Sequence, residues 1–156
     1  MGAPITPNIY YQVLNQYQAA QLLFEAIKLD VFSYLDKSTT ARDIANEAGY
    51  DEHNVELLLL ALSSCGYIHK ESNSYCNTKS GAEYLSRKSP HYIGQTILFR
   101  ETMTSLSDID NKVKHGSERQ AGIGYDFATL AEVTVPEMYA TGRVENFVTE
   151  IKTICQ

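Results

Sequence analysis

Apolar positions over the first thirty residues follow a helical rhythm. Ile9, Val13, Tyr17, Ala20, Phe24, Ile27 and Val31 are separated by steps of three and four, the spacing of one stripe along an α-helix and close to a heptad seam. A second set, Tyr10, Leu14, Leu22, Ala26 and Leu29, carries the apolar surface beyond one side. A helix that is apolar on two sides needs cover on two sides, and a small domain supplies only one of them. The pattern predicts a long first helix over residues 9–28. Its residues Ile9, Tyr10, Val13, Tyr17 and Phe24 are the candidates to meet a second copy of the chain.

Punctuation after Asp30 is dense. Val31 to Leu35 reads as a short helical turn. Thr39 or Thr40 caps a helix with Ala41, Ile44, Ala45 and Ala48 on its apolar side, and Gly49 ends it where a left-handed residue is wanted. Asp51 caps the next helix, whose inner side carries Val55, Leu58, Leu59 and Leu62, and Gly66 stops it. Tyr67–Lys70 and Tyr75–Asn77 alternate as short strands around the turn residues 71–74. Thr78 and Ser80 then start a helix containing Ala82, Tyr84 and Leu85. A helix, a turn, a second helix and a two-stranded ribbon make a winged helix.

Pro90 is expected to open a further helix to about His115, closed by Gly116, with Tyr92, Ile93, Ile97, Leu98 and Met103 on its apolar side. Residues 117–124 read as a polar loop. Residues 126–156 read as two helices, with Val133-Thr134-Val135-Pro136 as an interruption separating or preceding them. The expected fold is mainly α, a winged helix with a long N-terminal dimerisation helix and C-terminal helices. The expected division is 1–38 for the dimerisation helices, 39–88 for the winged helix and 89–156 for a helical region that joins the dimer and lines a pocket.

Composition narrows the functional classes. The chain has 156 residues and a formal net charge of −6. Its longest apolar run, Leu57 to Leu62, falls far short of the roughly 20 residues that span a bilayer. The N-terminus has no charged segment followed by an apolar one, so it does not read as a secretory signal. The three cysteines, Cys65, Cys76 and Cys155, have no metal-ligand spacing, and an odd number makes a poor disulfide framework. Free thiols fit a reducing cytoplasm. His53, His69, His91 and His115 are scattered, so no metal site is expected.

Most winged helices bind DNA through a second helix with basic and amide side chains. Residues 41–65 hold Asp43, Glu47, Asp51, Glu52 and Glu56 against the single base Arg42, and the second helix has no Lys or Arg. Phosphates would repel such a surface. A winged-helix transcription regulator is therefore the less favoured reading, and no nucleic-acid partner is expected. Nor is a membrane expected as a partner.

The motifs also resemble a family. Ala20, Leu22, Ala26, Ile27, Leu29, Val31, Phe32, Tyr34 and Leu35 begin the series. Thr40, Ala41, Arg42, Ile44, Ala45, Gly49, Asp51, Val55, Leu58, Leu59, Ala61, Leu62, Gly66, Tyr67 and Ile68 continue it. Tyr75, Thr78, Gly81, Tyr84 and Leu85 come next, then Ser89, Pro90, Tyr92, Ile93, Gly94, Ile97 and Phe99. In this order and spacing they resemble the N-terminal part of class I S-adenosylmethionine-dependent O-methyltransferases acting on small phenols and polyketides. The likeness runs from about Gln18 to Phe99.

The resemblance implies a homodimer whose winged helix supports the interface without touching DNA. It places the methyl donor, S-adenosylmethionine, in a Rossmann-like domain that would begin after Gln156, together with the catalytic base. No cofactor and no catalytic residue are then expected in this chain, which alone would be inactive although its parent protein is a methyltransferase. The one GxG, Gly122-Ile123-Gly124, follows no strand and has Phe127 where a third glycine would stand. The resemblance also points to Phe99, Met103, Tyr125 and Phe127 as acceptor-binding residues for a small aromatic or polyketide-like molecule. A stand-alone homodimeric module for ligand binding or interaction stays open beside it. Titration calorimetry of this chain with S-adenosylmethionine is expected to show no binding; a micromolar dissociation constant would contradict this location of the donor site.

Overall fold

The computed structural model describes residues 7–103, 109–116 and 127–154. The chain divides into two compact units, one ending at Ser89 and the other beginning at Pro90. The first contains helices α1 (Asn8–Lys28), α2 (Val31–Tyr34), α3 (Ala41–Ala48) and α4 (Glu52–Ser64), strands β1 (Ile68–Glu71) and β2 (Ser74–Asn77), and helix α5 (Lys79–Tyr84). The second contains α6 (Gly94–Met103), α7 (Ile109–His115), α8 (Phe127–Ala140) and α9 (Arg143–Ile154).

Single residues set the boundaries in the first unit. Asp30 turns the chain between α1 and α2 with φ 55°, a left-handed conformation that Asp tolerates better than most residues. The Ser33 hydroxyl donates to its carboxylate at 2.6 Å. Thr40 caps α3 through a capping box: its hydroxyl oxygen accepts from the Asp43 N–H, and the Asp43 carboxylate accepts from the Thr40 N–H. Gly49, at φ 73°, ends α3. The Asp51 carboxylate accepts from the Asn54 N–H at 2.9 Å and starts α4.

α3 and α4 form the helix–turn–helix, and β1 and β2 follow as the wing, a winged-helix-like arrangement. The strands are antiparallel, with Ile68 opposite Asn77 and Lys70 opposite Tyr75. Thr39 pairs with Tyr75 through two backbone hydrogen bonds of 2.9 and 2.7 Å, which tie the wing to the start of α3. The Asn77 side-chain amide donates to the Phe32 carbonyl at 2.8 Å and to Asp36 at 3.2 Å, joining the wing to α2.

All the buried apolar side chains among the described residues lie in this unit. Ala26, Ile27, Val31, Phe32, Leu35, Ile44, Leu59, Leu62, Ile68 and Tyr75 form its centre. Tyr75 is fully buried, so β2 contributes a large ring to a core otherwise built from helices.

The second unit departs from the sequence pattern in three places. Pro90 sits in a turn rather than at a helix start, and α6 begins four residues later at Gly94. The Ile93 carbonyl accepts from the Ile97 N–H at 3.1 Å. The Tyr92 ring lies against Gly94 so closely that a Cβ there would collide with it, which gives the Tyr-Ile-Gly run a steric meaning. The expected helix to His115 is two described helices, α6 and α7, with residues 104–108 outside the described set. Pro136 lies inside α8 instead of dividing two helices. It offers no N–H to the carbonyl one turn back, yet the helix resumes, and the Thr141 N–H bonds the Glu137 carbonyl at 2.9 Å. The break falls at Gly142, φ 70°, because a glycine supplies the left-handed residue that a sharp reversal needs, whereas a proline removes only one bond of the ladder.

The Thr40 cap satisfies orphan helix donors at a point where the wing is also attached. Thr40→Ala is expected to lower the unfolding free energy by about 1 kcal/mol, and Thr40→Ser to restore most of it, as read by urea denaturation.

Candidate functional site

α1 has a packed end and a free end. In its C-terminal half Ala26 and Ile27 are buried, and Ala19, Ala20, Leu22, Leu23 and Phe24 are half-buried. Every residue from Asn8 to Gln18 is exposed. Ile9, Tyr10, Val13, Leu14 and Tyr17 are 62, 77, 59, 50 and 59% exposed. Ile9 lies five full turns before Ile27, so the stripe of Ile9, Val13 and Tyr17 runs on into Ala20, Phe24 and Ile27. The N-terminal half therefore carries the apolar stripe beyond the end of its own unit's core. The Tyr67 hydroxyl donates to the Ala19 carbonyl at 3.3 Å, near the point where burial begins. Burial, then the nearby Cys65, pushes the Tyr67 phenol above its ordinary range.

Of the five residues expected to meet a second copy, the structure leaves Ile9, Tyr10, Val13 and Tyr17 exposed and Phe24 half-buried. Tyr11, at 62%, adds to the exposed set. Together the exposed apolar side chains of residues 9–17 present on the order of 600 Å². A standard protein interface covers about 800 Å² per partner. Tyr rings with polar tips suit such a surface.

The second helix of the helix–turn–helix has its own exposed side. Leu57 and Leu60 are 51 and 39% exposed and point away from Val55, Leu59 and Leu62, which are buried. The nearest cations are tied down by carboxylates of the same helix. Arg42 Nε is 3.2 Å from Glu52, and Lys70 Nζ is 3.3 Å from Glu56. Glu56 Oε1 also accepts from the Tyr75 hydroxyl at 2.7 Å, and Lys70 Nζ lies 5.0 Å from the centroid of the Tyr75 ring. Glu56, Tyr75 and Lys70 thus lock α4 to the wing. The Tyr75 hydrogen bond, helped by Lys70 and opposed by burial, holds the Glu56 carboxyl below its ordinary value of 4.5. Burial first, and the bond to Glu56 second, raise the Tyr75 phenol.

The expected acceptor-binding residues are only partly visible. Phe99 is half-buried on α6. Met103 closes α6 and Phe127 opens α8, with their side chains outside the described set; Tyr125 lies outside it altogether. The second unit exposes much apolar surface: Val135 and Tyr139 of α8 are 45 and 59% exposed, and Phe147 and Ile151 of α9 are 63 and 43% exposed. Among the described residues its buried groups are polar. Thr96 donates to the Val133 carbonyl at 3.2 Å, and Glu137 lies 3.4 Å from Arg143. No cluster of three His, Cys, Asp or Glu side chains suited to a metal occurs among the described residues, and none of their helices is long and apolar enough to cross a membrane.

One feature was not named from the sequence: the outward side of α4, where Leu57 and Leu60 are exposed opposite the inner Val55, Leu59 and Leu62.

The family model described as the O-methyltransferase dimerisation domain matches residues 11–87. Solved structures share the fold. A candidate O-methyltransferase from Nostoc punctiforme PCC 73102 is 20% identical, with a TM-score of 0.76 over 94% of this chain and 47% of that one. The N,N-8-amino-8-demethyl-D-riboflavin dimethyltransferase of Streptomyces davawensis is 21% identical, with a TM-score of 0.67 over 94% of this chain and 48% of that one. Human N-acetylserotonin methyltransferase, solved with S-adenosylmethionine, is 20% identical, with a TM-score of 0.65 over 91% of this chain and 48% of that one. The chain spans about half the length of these structures. A comparison with curated protein sequences finds no match.

The Glu56 lock has a pH signature. A carboxyl held below its unfolded value stabilises the fold fully above the ordinary carboxylate range, and that stabilisation fades as pH falls through the folded value. The stability difference between the native chain and Glu56→Gln is expected to be largest near neutral pH and to shrink below about 4.5. Urea titrations across that range check it; a difference independent of pH would contradict the lock.

Proposed function

Because residues 11–87 belong to the O-methyltransferase dimerisation-domain family, we propose that the exposed apolar half of α1 binds a second copy of the chain and builds the scaffold of a small-molecule methyltransferase. The observation that carries this reading is the exposure of the first half of α1. Ile9, Tyr10, Val13 and Tyr17 stand beyond the core of their own unit, uncovered. Phe24 carries the same stripe toward that core. A two-fold pair would cover the stripes of both copies with one self-complementary contact.

In this reading residues 1–38 supply the interlocking helices, 39–88 the winged-helix support and 89–156 the remainder of the interface and one wall of an acceptor pocket. Phe99, Met103, Tyr125 and Phe127 would contact a small aromatic or polyketide-like acceptor. S-adenosylmethionine would be held by a part of the protein beyond this sequence, where a glycine-rich turn after a strand could place it at a helix N-terminus. The assembly would work in the cytoplasm. The winged helix would serve as structure, since Arg42 and Lys70 are occupied by Glu52 and Glu56 and so are poorly placed to neutralise phosphates.

Sedimentation velocity tests the reading. The chain at micromolar concentration is expected to run as a dimer, and Val13→Glu to run as a monomer with unchanged helical circular dichroism. A native chain that sediments as a monomer would overturn the proposal.

A further inference from the structure

The first unit contains a half-open cavity of about 380 Å³ between the end of α3 and the first turns of α4. Its floor is core: Val31, Ile44 and Val55 are 4, 2 and 7% exposed. Leu58 forms a half-buried wall, and Tyr50 and Asp51 stand exposed at the mouth. The volume equals roughly a dozen waters at about 30 Å³ each, room for one ring with a short chain. It lies within the range of small-ligand sites, which are mostly apolar with a few polar groups that fix orientation.

Charge at the mouth has one sign. No Lys or Arg lines the cavity, whereas Asp51 does. Glu47 lies about one turn before Tyr50 in the chain. The Tyr34 phenol is raised by burial and then by Tyr50, Glu47 and Asp30, so these groups share one electrostatic neighbourhood. Asp30 is answered by Arg87 at 3.5 Å, and Asp51 caps α4. Asp51 has no ion-pair partner among the described residues. A Tyr ring and this carboxylate at the mouth suit a cation and repel an anion.

We infer that the first unit carries a binding site for a small amphiphilic amine, its apolar body between α3 and α4 and its ammonium at Tyr50 and Asp51. This goes beyond the scaffold role, and it uses none of the exposed residues of α1.

The test uses the whole chain and three probes of equal shape: 2-phenylethylammonium, 2-phenylethanol and phenylacetate. Nuclear magnetic resonance titration is expected to shift the amides of Tyr50 and Leu58, with the ammonium bound about fivefold more tightly than the alcohol and phenylacetate weakest. Asp51→Asn, which keeps an N-cap oxygen for the Asn54 N–H, should remove the preference for the ammonium over the alcohol while leaving the alcohol's affinity unchanged. Leu58→Trp should fill the cavity and abolish binding of both. Failure of the ammonium to bind at millimolar concentration, or equal binding of all three probes, would overturn the inference. So would a Leu58→Trp variant that folds and dissociates the dimer, because the cavity would then belong to the contact between copies. Asp51→Asn keeps the test decisive if Leu58→Trp does not fold.

Discussion

A helix can bury an apolar stripe only against something that lies beside it, and α1 is longer than the core it packs on. Its C-terminal half turns Ala26 and Ile27 into the core. Its N-terminal half carries the stripe on through Ile9, Val13 and Tyr17, where every residue from Asn8 to Gln18 is exposed. Isolated helical turns are marginal in water, and most helical stability comes from the packing of an apolar face. The N-terminal turns of α1 thus present an apolar surface that their own unit does not cover.

The rest of the first unit is built to hold α1 firmly at one end. Phe32, Leu35 and Leu59 close around its C-terminal turns, and Tyr67 reaches Ala19. The wing is held from three directions: Thr39 pairs with Tyr75, Asn77 bonds α2, and Glu56 ties Tyr75 and Lys70 to α4. These contacts occupy Lys70, the cation of the wing. The second unit has the opposite character. Its apolar side chains on α8 and α9 are largely exposed, and the buried groups described there are polar. It is therefore a unit whose apolar surface awaits cover rather than one that closes on itself.

Much of this was legible in the residues because it rests on local chemistry. Thr40, Asp51, Gly49 and Gly66 mark the helix ends, since a cap or a left-handed φ is decided by one or two side chains. The exposed face of α1 was legible as an excess of apolar positions. Proline was the misleading signal. Pro90 and Pro136 read as a start and a break, but a turn stabilised around Tyr92 and Gly94 delays the first helix, and Gly142 makes the real reversal. The Glu56–Tyr75–Lys70 lock was not legible, because it joins residues up to nineteen positions apart whose meeting depends on the wing folding over α4. Of the acceptor-binding residues only Phe99 has a described side chain, half-buried on α6, so their grouping rests on the family resemblance.

The most direct measurement is amide hydrogen exchange along α1 as protein concentration is varied across the association range. Protection of residues 8–18 should rise with concentration, while the amides of α4 around Leu59 and Leu62 stay equally protected throughout. Exchange from residues 8–18 that is fast at every concentration, or slow even in dilute monomer, would contradict a helix whose first half is completed by a second chain.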